Sequence, residues 1–116
     1  MNKSDLKDRT KKFATRILKL VDALPRSASG KTLANQIARS GTSVAANYRA
    51  ACRAKSKADF IAKMGIVEEE ADETLFWLEL AIDVALVPAK NLKSLMQEAE
   101  ELVKITVASI NTARSK

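Results

Sequence analysis

Carboxylates are the side chains in this sequence with the plainest capacity for chemistry, and they stand in two runs, EEEADE from Glu68 to Glu73 and QEAEE from Gln97 to Glu101. Carboxylates three residues apart on two neighbouring helices can share a Mg²⁺, as a Mg-dependent all-α nucleotide pyrophosphohydrolase would require. Helical spacing argues against convergence, because Glu69, Glu98 and Glu101 fall away from the apolar stripes of their own helices. A solvated face, partly paired with Arg39 or Arg49 of the adjacent helix, is the stronger reading, and the hydrolase is the runner-up. There is no histidine, which excludes Ser-His-Asp and Cys-His nucleophiles, HExxH zinc sites and the Glu-x-x-His half-sites of di-iron proteins. Cys52, the single cysteine, lies between Arg49 and Arg53 but has no second thiol or base to work with. It reads as a packing residue. No catalytic residue, metal site or cofactor is assigned.

The elements that carry these groups are helices. Three glycines and two prolines among 116 residues leave little turn material, and 47% hydrophobic content suffices for one core, so a single all-α domain over residues 1–116 is expected. Ser4 is placed to cap a first helix over about 4–23, with Leu6, Phe13, Ile17, Leu20 and Leu24 along one side. LPRSASG breaks it, and a second helix follows over about 31–54. Ser56 caps a third over 57–87, and Pro88 ends that helix and opens a fourth over 89–113. Short connections between helices of this length predict an up-down-up-down antiparallel four-helix bundle.

The third helix is apolar on two sides. Phe60, Met64, Val67, Ala71, Leu75, Leu78 and Ile82 form its core stripe, while Ile66, Trp77, Leu80 and Val84 form a second line well over a quarter turn away. A bundle helix needs one buried face, so the second line predicts a subunit interface. On the second helix Leu33, Ile37, Val44 and Tyr48 face the core. Beside them Gln36, Ser40, Ser43, Asn47, Ala50 and Ala54 recur at heptad spacing as a seam of small and polar groups. Such groups allow close backbone approach and fix register, and Gly41 points the same way. The seam is therefore assigned to the interface of a homo-oligomer.

Net charge is +6, unevenly spread: residues 1–63 hold 15 Lys/Arg and 4 Asp/Glu, and residues 64–116 hold 5 and 10. The two halves should attract, and basic helices pairing with acidic ones account for most of this pattern. The candidate phosphate contacts for RNA or DNA are Lys7, Lys11, Lys12, Arg16 and Lys19 on the first helix, with Arg49, Arg53, Lys55 and Lys57 around the second turn. Few aromatics remain to stack on bases, so any such binding is expected to be backbone-directed and salt-dependent. No run of 18 uncharged apolar residues and no secretory signal is present, so no membrane partner and a cytoplasmic location are expected.

The segment Leu33 to Leu80 resembles the 23S rRNA-intervening sequence proteins. The likeness is carried by Gln36, Arg39-Ser40, Ser43, Ala46-Asn47, the Phe60 region and the run from Glu70 to Leu78 leading into WLEL. It implies a left-handed four-helix bundle that assembles as a homopentamer, without established enzymatic activity. A similar fold serves as the accessory variability determinant of diversity-generating retroelements, a basic pentameric barrel associated with a reverse transcriptase and nucleic acid, which implies a scaffold or adaptor with protein or nucleic-acid partners. Many members carry Asn-x-x-Glu-Gly where this chain reads NYRAA, so Ala50 and Ala51 stand in place of the Glu and Gly.

Overall fold

The computed structural model describes residues 1–116 as four helices and no strand: α1 (Lys3–Ala23), α2 (Ala28–Ala51), α3 (Lys57–Asp83) and α4 (Ala89–Arg114). All four contribute to one continuous core, in a molecule 47 Å long and about 20 Å across. α2 packs on α1 and α3, and α3 packs on α4; α1 and α4 make the sparsest seam. None of the helices is long and apolar enough to cross a membrane.

Local chemistry sets the helix ends and corrects four expected boundaries. Asn2, not Ser4, caps α1: its side chain accepts from the Asp5 amide while Asp5 accepts from the Asn2 amide, a reciprocal box. Ser27 caps α2 through the Gly30 amide, so that helix starts three residues before the expected Lys31. It ends at Ala51 rather than Ala54, because the amides of Arg53 and Ala54 reach back to the carbonyls of Ala50 and Ala51, tightening the last turn. α3 stops at Asp83 instead of running to Val87. Ala85 takes a left-handed φ of 60°, the Leu86 amide bonds to Ala81 and the Ala85 amide to Ile82, closing a Schellman turn. Pro88 then stands at the cap position of α4, whose first turn has no side-chain cap.

The predicted core faces are largely those observed. α1 buries Leu6, Phe13 and Ile17, and Thr10 fills the place between the first two by turning its hydroxyl to the Leu6 carbonyl at 2.9 Å. Leu20, Phe60, Leu75 and Ile82 are only partly buried against the core. No buried side-chain nitrogen or oxygen lacks a partner. Gly41 does serve close approach, but to α1 of its own chain: a β-carbon there would stand 2.7 Å from two carbons of Ile17. At the sparse seam, Arg9 holds Glu98 with two bonds of 2.7 Å and reaches Glu101 at 3.3 Å, and Arg16 donates to Ser94 at 2.9 Å. The Glu98 bond raises the pKa of Arg9 above its ordinary value.

Candidate interaction surface

Two consecutive residues of α2 fix its neighbours. Gly41 meets α1, and Ser40, about 100° round the helix, meets α3. Ser40 has no exposed surface, and this corrects its assignment to a subunit interface. Thr74 of α3 donates to its hydroxyl at 2.8 Å, and Ser40 in turn donates to the Gln36 carbonyl at 2.9 Å. A small hydroxyl opposite another small hydroxyl lets the two helices close over both.

Above this pair the α2–α3 seam opens into a polar shoulder. Arg39 donates to Glu70 at 3.1 Å and also to Glu73, while its Nε donates to the Gln36 side chain at 3.2 Å. Trp77 adds its indole N–H to Glu73 at 3.2 Å. Further along, Asn47 donates to the Ser43 hydroxyl at 2.7 Å and the Ser43 carbonyl at 2.9 Å, with both residues half-buried. Ala50 is half-buried on α2, and Ala54 is half-buried in the turn beyond it.

Beside this shoulder runs an apolar ridge at the C-terminal part of α3 and its cap, formed by Phe76, Trp77, Leu80 and Val84, with Ile66 set apart from it by Glu70 and Glu73. Ile66 is 42% exposed and Val84 52%, whereas Trp77 and Leu80 are half-buried and pack partly on their own core. Phe76, unassigned by sequence reasoning, is 50% exposed and stacks edge-on against Trp77, with ring centroids 5.1 Å apart. Its signal lay in the sequence: Phe76 precedes Leu80 by four residues, on the flank of the second apolar line. Leu18 on α1, 47% exposed, was likewise unassigned.

Four carboxylates of the acidic runs are engaged by arginines. Glu70 and Glu73 turn to Arg39, as the sequence suggested, but Glu98 and Glu101 turn to Arg9 and not to Arg39 or Arg49. No three His, Cys, Asp or Glu side chains gather in a group able to hold a metal ion. Cys52, half-buried, closes the C-terminal end of α2 beside Tyr48, whose hydroxyl is pushed up in pKa by burial and by the neighbouring thiol.

The basic residues fall into three places. Lys7, Lys11 and Arg49 meet in a hollow of about 420 Å³ between α1 and α2, together with Asp8. Lys12, Arg16 and Lys19 are exposed on another flank of α1, where Arg16 reaches α4. Arg53, Lys55 and Lys57 surround the second turn, where Lys57 donates to the Lys116 carbonyl.

A chain of this form has solved counterparts. The crystal structure of a protein with unknown function from the S23 ribosomal protein family of Bacteroides thetaiotaomicron VPI-5482 superposes with a TM-score of 0.89 at 37% identity, over 96% of this chain and 99% of that one. No curated protein is similar enough to match. The family model of the 23S rRNA-intervening sequence protein matches residues 2–108, and the chain belongs to that family.

Proposed function

We propose that this chain is a non-catalytic, cytoplasmic scaffold or adaptor that works as a homo-oligomer of five copies, each an up-down-up-down antiparallel four-helix bundle forming one domain. One observation carries the reading: α3 buries Met64, Val67, Ala71 and Leu78 in its own core yet leaves Ile66, Phe76 and Val84 exposed beside the half-buried Trp77 and Leu80. Exposed aromatic and branched side chains cost free energy in water, and a second copy relieves that cost. The polar shoulder of Arg39, Ser43 and Asn47 next to this ridge would supply register, since its groups are already mutually satisfied and lose little when covered. The non-catalytic part is supported by Glu70, Glu73, Glu98 and Glu101, which arginines engage. The division of the basic side chains among three places leaves any phosphate contact subordinate to assembly.

Size-exclusion chromatography with light scattering tests the proposal. The expected mass is five times the chain's 12.7 kDa, and a clean monomer overturns the reading. Hydrolysis of nucleoside triphosphates with Mg²⁺ by the purified protein, lost on substitution of Glu70 or Glu98, would overturn the non-catalytic part.

A further inference from the structure

We infer that the α3 ridge of one copy docks on the α1–α2 groove of the next, so that unlike surfaces meet and successive copies close a ring. This rests on the oligomeric reading above and names the surfaces that would carry it.

The ridge presents Phe76 and Val84, with Ile66 nearer the start of the helix, and Glu69, Asp72, Glu79 and Asp83, all exposed, share the helical line of Phe76. None of these four carboxylates has a cation in its own chain, because the ion pairs of the molecule engage only Arg9, Arg39 and Lys63. The only acidic side chains near the ridge that are neutralised are Glu70 and Glu73, by Arg39. The ridge is therefore an apolar patch with an acidic flank.

The groove has the opposite character. Lys7, Lys11 and Arg49 converge there, offset only by Asp8, and none of the three is ion-paired. Leu18, 47% exposed, lies on the same line of α1 as Lys7 and Lys11, at helical offsets of four, seven and eleven residues. Arg49 and Thr42 share the facing line of α2. The Thr42 hydroxyl already donates to the Ala38 carbonyl at 2.7 Å, so covering it strands no donor. This surface offers one apolar contact, Leu18, with Lys7, Lys11 and Arg49 toward one end and the exposed Asp22 four residues beyond it toward the other.

Charge decides which surfaces pair. Ridge on ridge would set unpaired carboxylates against one another, and groove on groove would do the same with cations; only ridge on groove is attractive on both counts. Such a contact is heterologous, which generates a ring or a filament rather than a two-fold dimer. The two surfaces lie on neighbouring flanks of the molecule, as the adjacent contacts of Ser40 with α3 and Gly41 with α1 establish. Each added copy consequently turns the direction of growth, which favours closure.

Paired cysteines test the inference. In a Cys52→Ala background, Leu18→Cys and Phe76→Cys are made separately and together, checked for helicity, co-refolded where mixed, and treated with a short bis-maleimide. Neither single variant should dimerise, their mixture should give a one-to-one dimer, and the double variant should give a ladder ending at the ring size. A Phe76→Cys chain that links to itself, or an oligomer whose mixture fails to link, overturns the pairing while leaving the oligomeric reading intact; a parent protein that is monomeric by light scattering overturns both. A charge exchange gives a second readout. Lys11→Glu with Arg49→Glu should reduce the mass to that of one chain, and adding Asp72→Lys with Glu79→Lys should restore it. A full-size assembly after Lys11→Glu with Arg49→Glu, above all one that has lost co-purified RNA or DNA, would assign the groove to nucleic acid and overturn the inference.

Discussion

The hydroxyls of Ser40 and Thr74 lie 2.8 Å apart with no exposed surface, and they set the register of α2 against α3. The polar contacts outward of them follow from that register: Arg39 comes level with Glu70 and Glu73, and the Trp77 indole donates to Glu73. Ser40→Val removes the acceptor and adds two methyl groups to a closed space, so thermal or urea unfolding should show a loss of about 1–3 kcal/mol. Because the residue is internal, the mass in solution should not change.

Gly41 and Ile17 form the corresponding contact on the other side of α2. Gly41→Ala gains about 1 kcal/mol of helix propensity but places its β-carbon 2.7 Å from two Ile17 carbons. Overpacking of this kind costs about 1–3 kcal/mol, so the single variant should be destabilised. In an Ile17→Ala background, itself costly by about 2–5 kcal/mol, the same glycine change should become neutral or stabilising. Denaturant midpoints of the four proteins measure this coupling.

Ala85 holds a left-handed backbone angle that costs a residue with a β-carbon about 1–2 kcal/mol. Ala85→Gly should recover part of that, offset by the greater freedom of glycine in the unfolded chain, and raise the unfolding midpoint by a few degrees.

The raised pKa of Tyr48, caused first by burial and then by Cys52, fixes the sign of a pH effect. A phenol whose pKa is higher folded than unfolded stabilises fully below its unfolded value of about 10 and loses that contribution as pH rises further. Stability should fall above pH 10 in the parent and fall less steeply in Tyr48→Phe. Phenolate absorbance should develop only as the protein unfolds.

The helices and their core faces were legible in the sequence because period-3.6 patterning reports burial directly, as in the line from Met64 through Val67 and Ala71 to Leu78. Ser40 was misplaced because a heptad line drawn through Gln36, Ser40, Ser43 and Asn47 crosses from a closed seam to an open shoulder. Only the register against Thr74 reveals where it crosses. Phe76 was overlooked since both its neighbours, Leu75 and Trp77, already had assigned faces. The helix ends moved for a similar reason: Asn2 and Ser27 compete with nearby residues for the capping role, and hydrogen-bond geometry decides between them. Ion pairs depend on which helices become neighbours, which is why Glu98 meets Arg9 across the α1–α4 seam.

If the outer side chains of α3 hold copies together, substituting them releases single chains, and the solution mass of an Ile66→Lys, Phe76→Lys chain decides whether they do. Both side chains are at least 42% exposed, so the variant should keep the parent's circular dichroism and elute as a single chain of about 12.7 kDa while the parent elutes as the assembly. A variant that retains the parent's assembled mass would show that other surfaces hold the copies together.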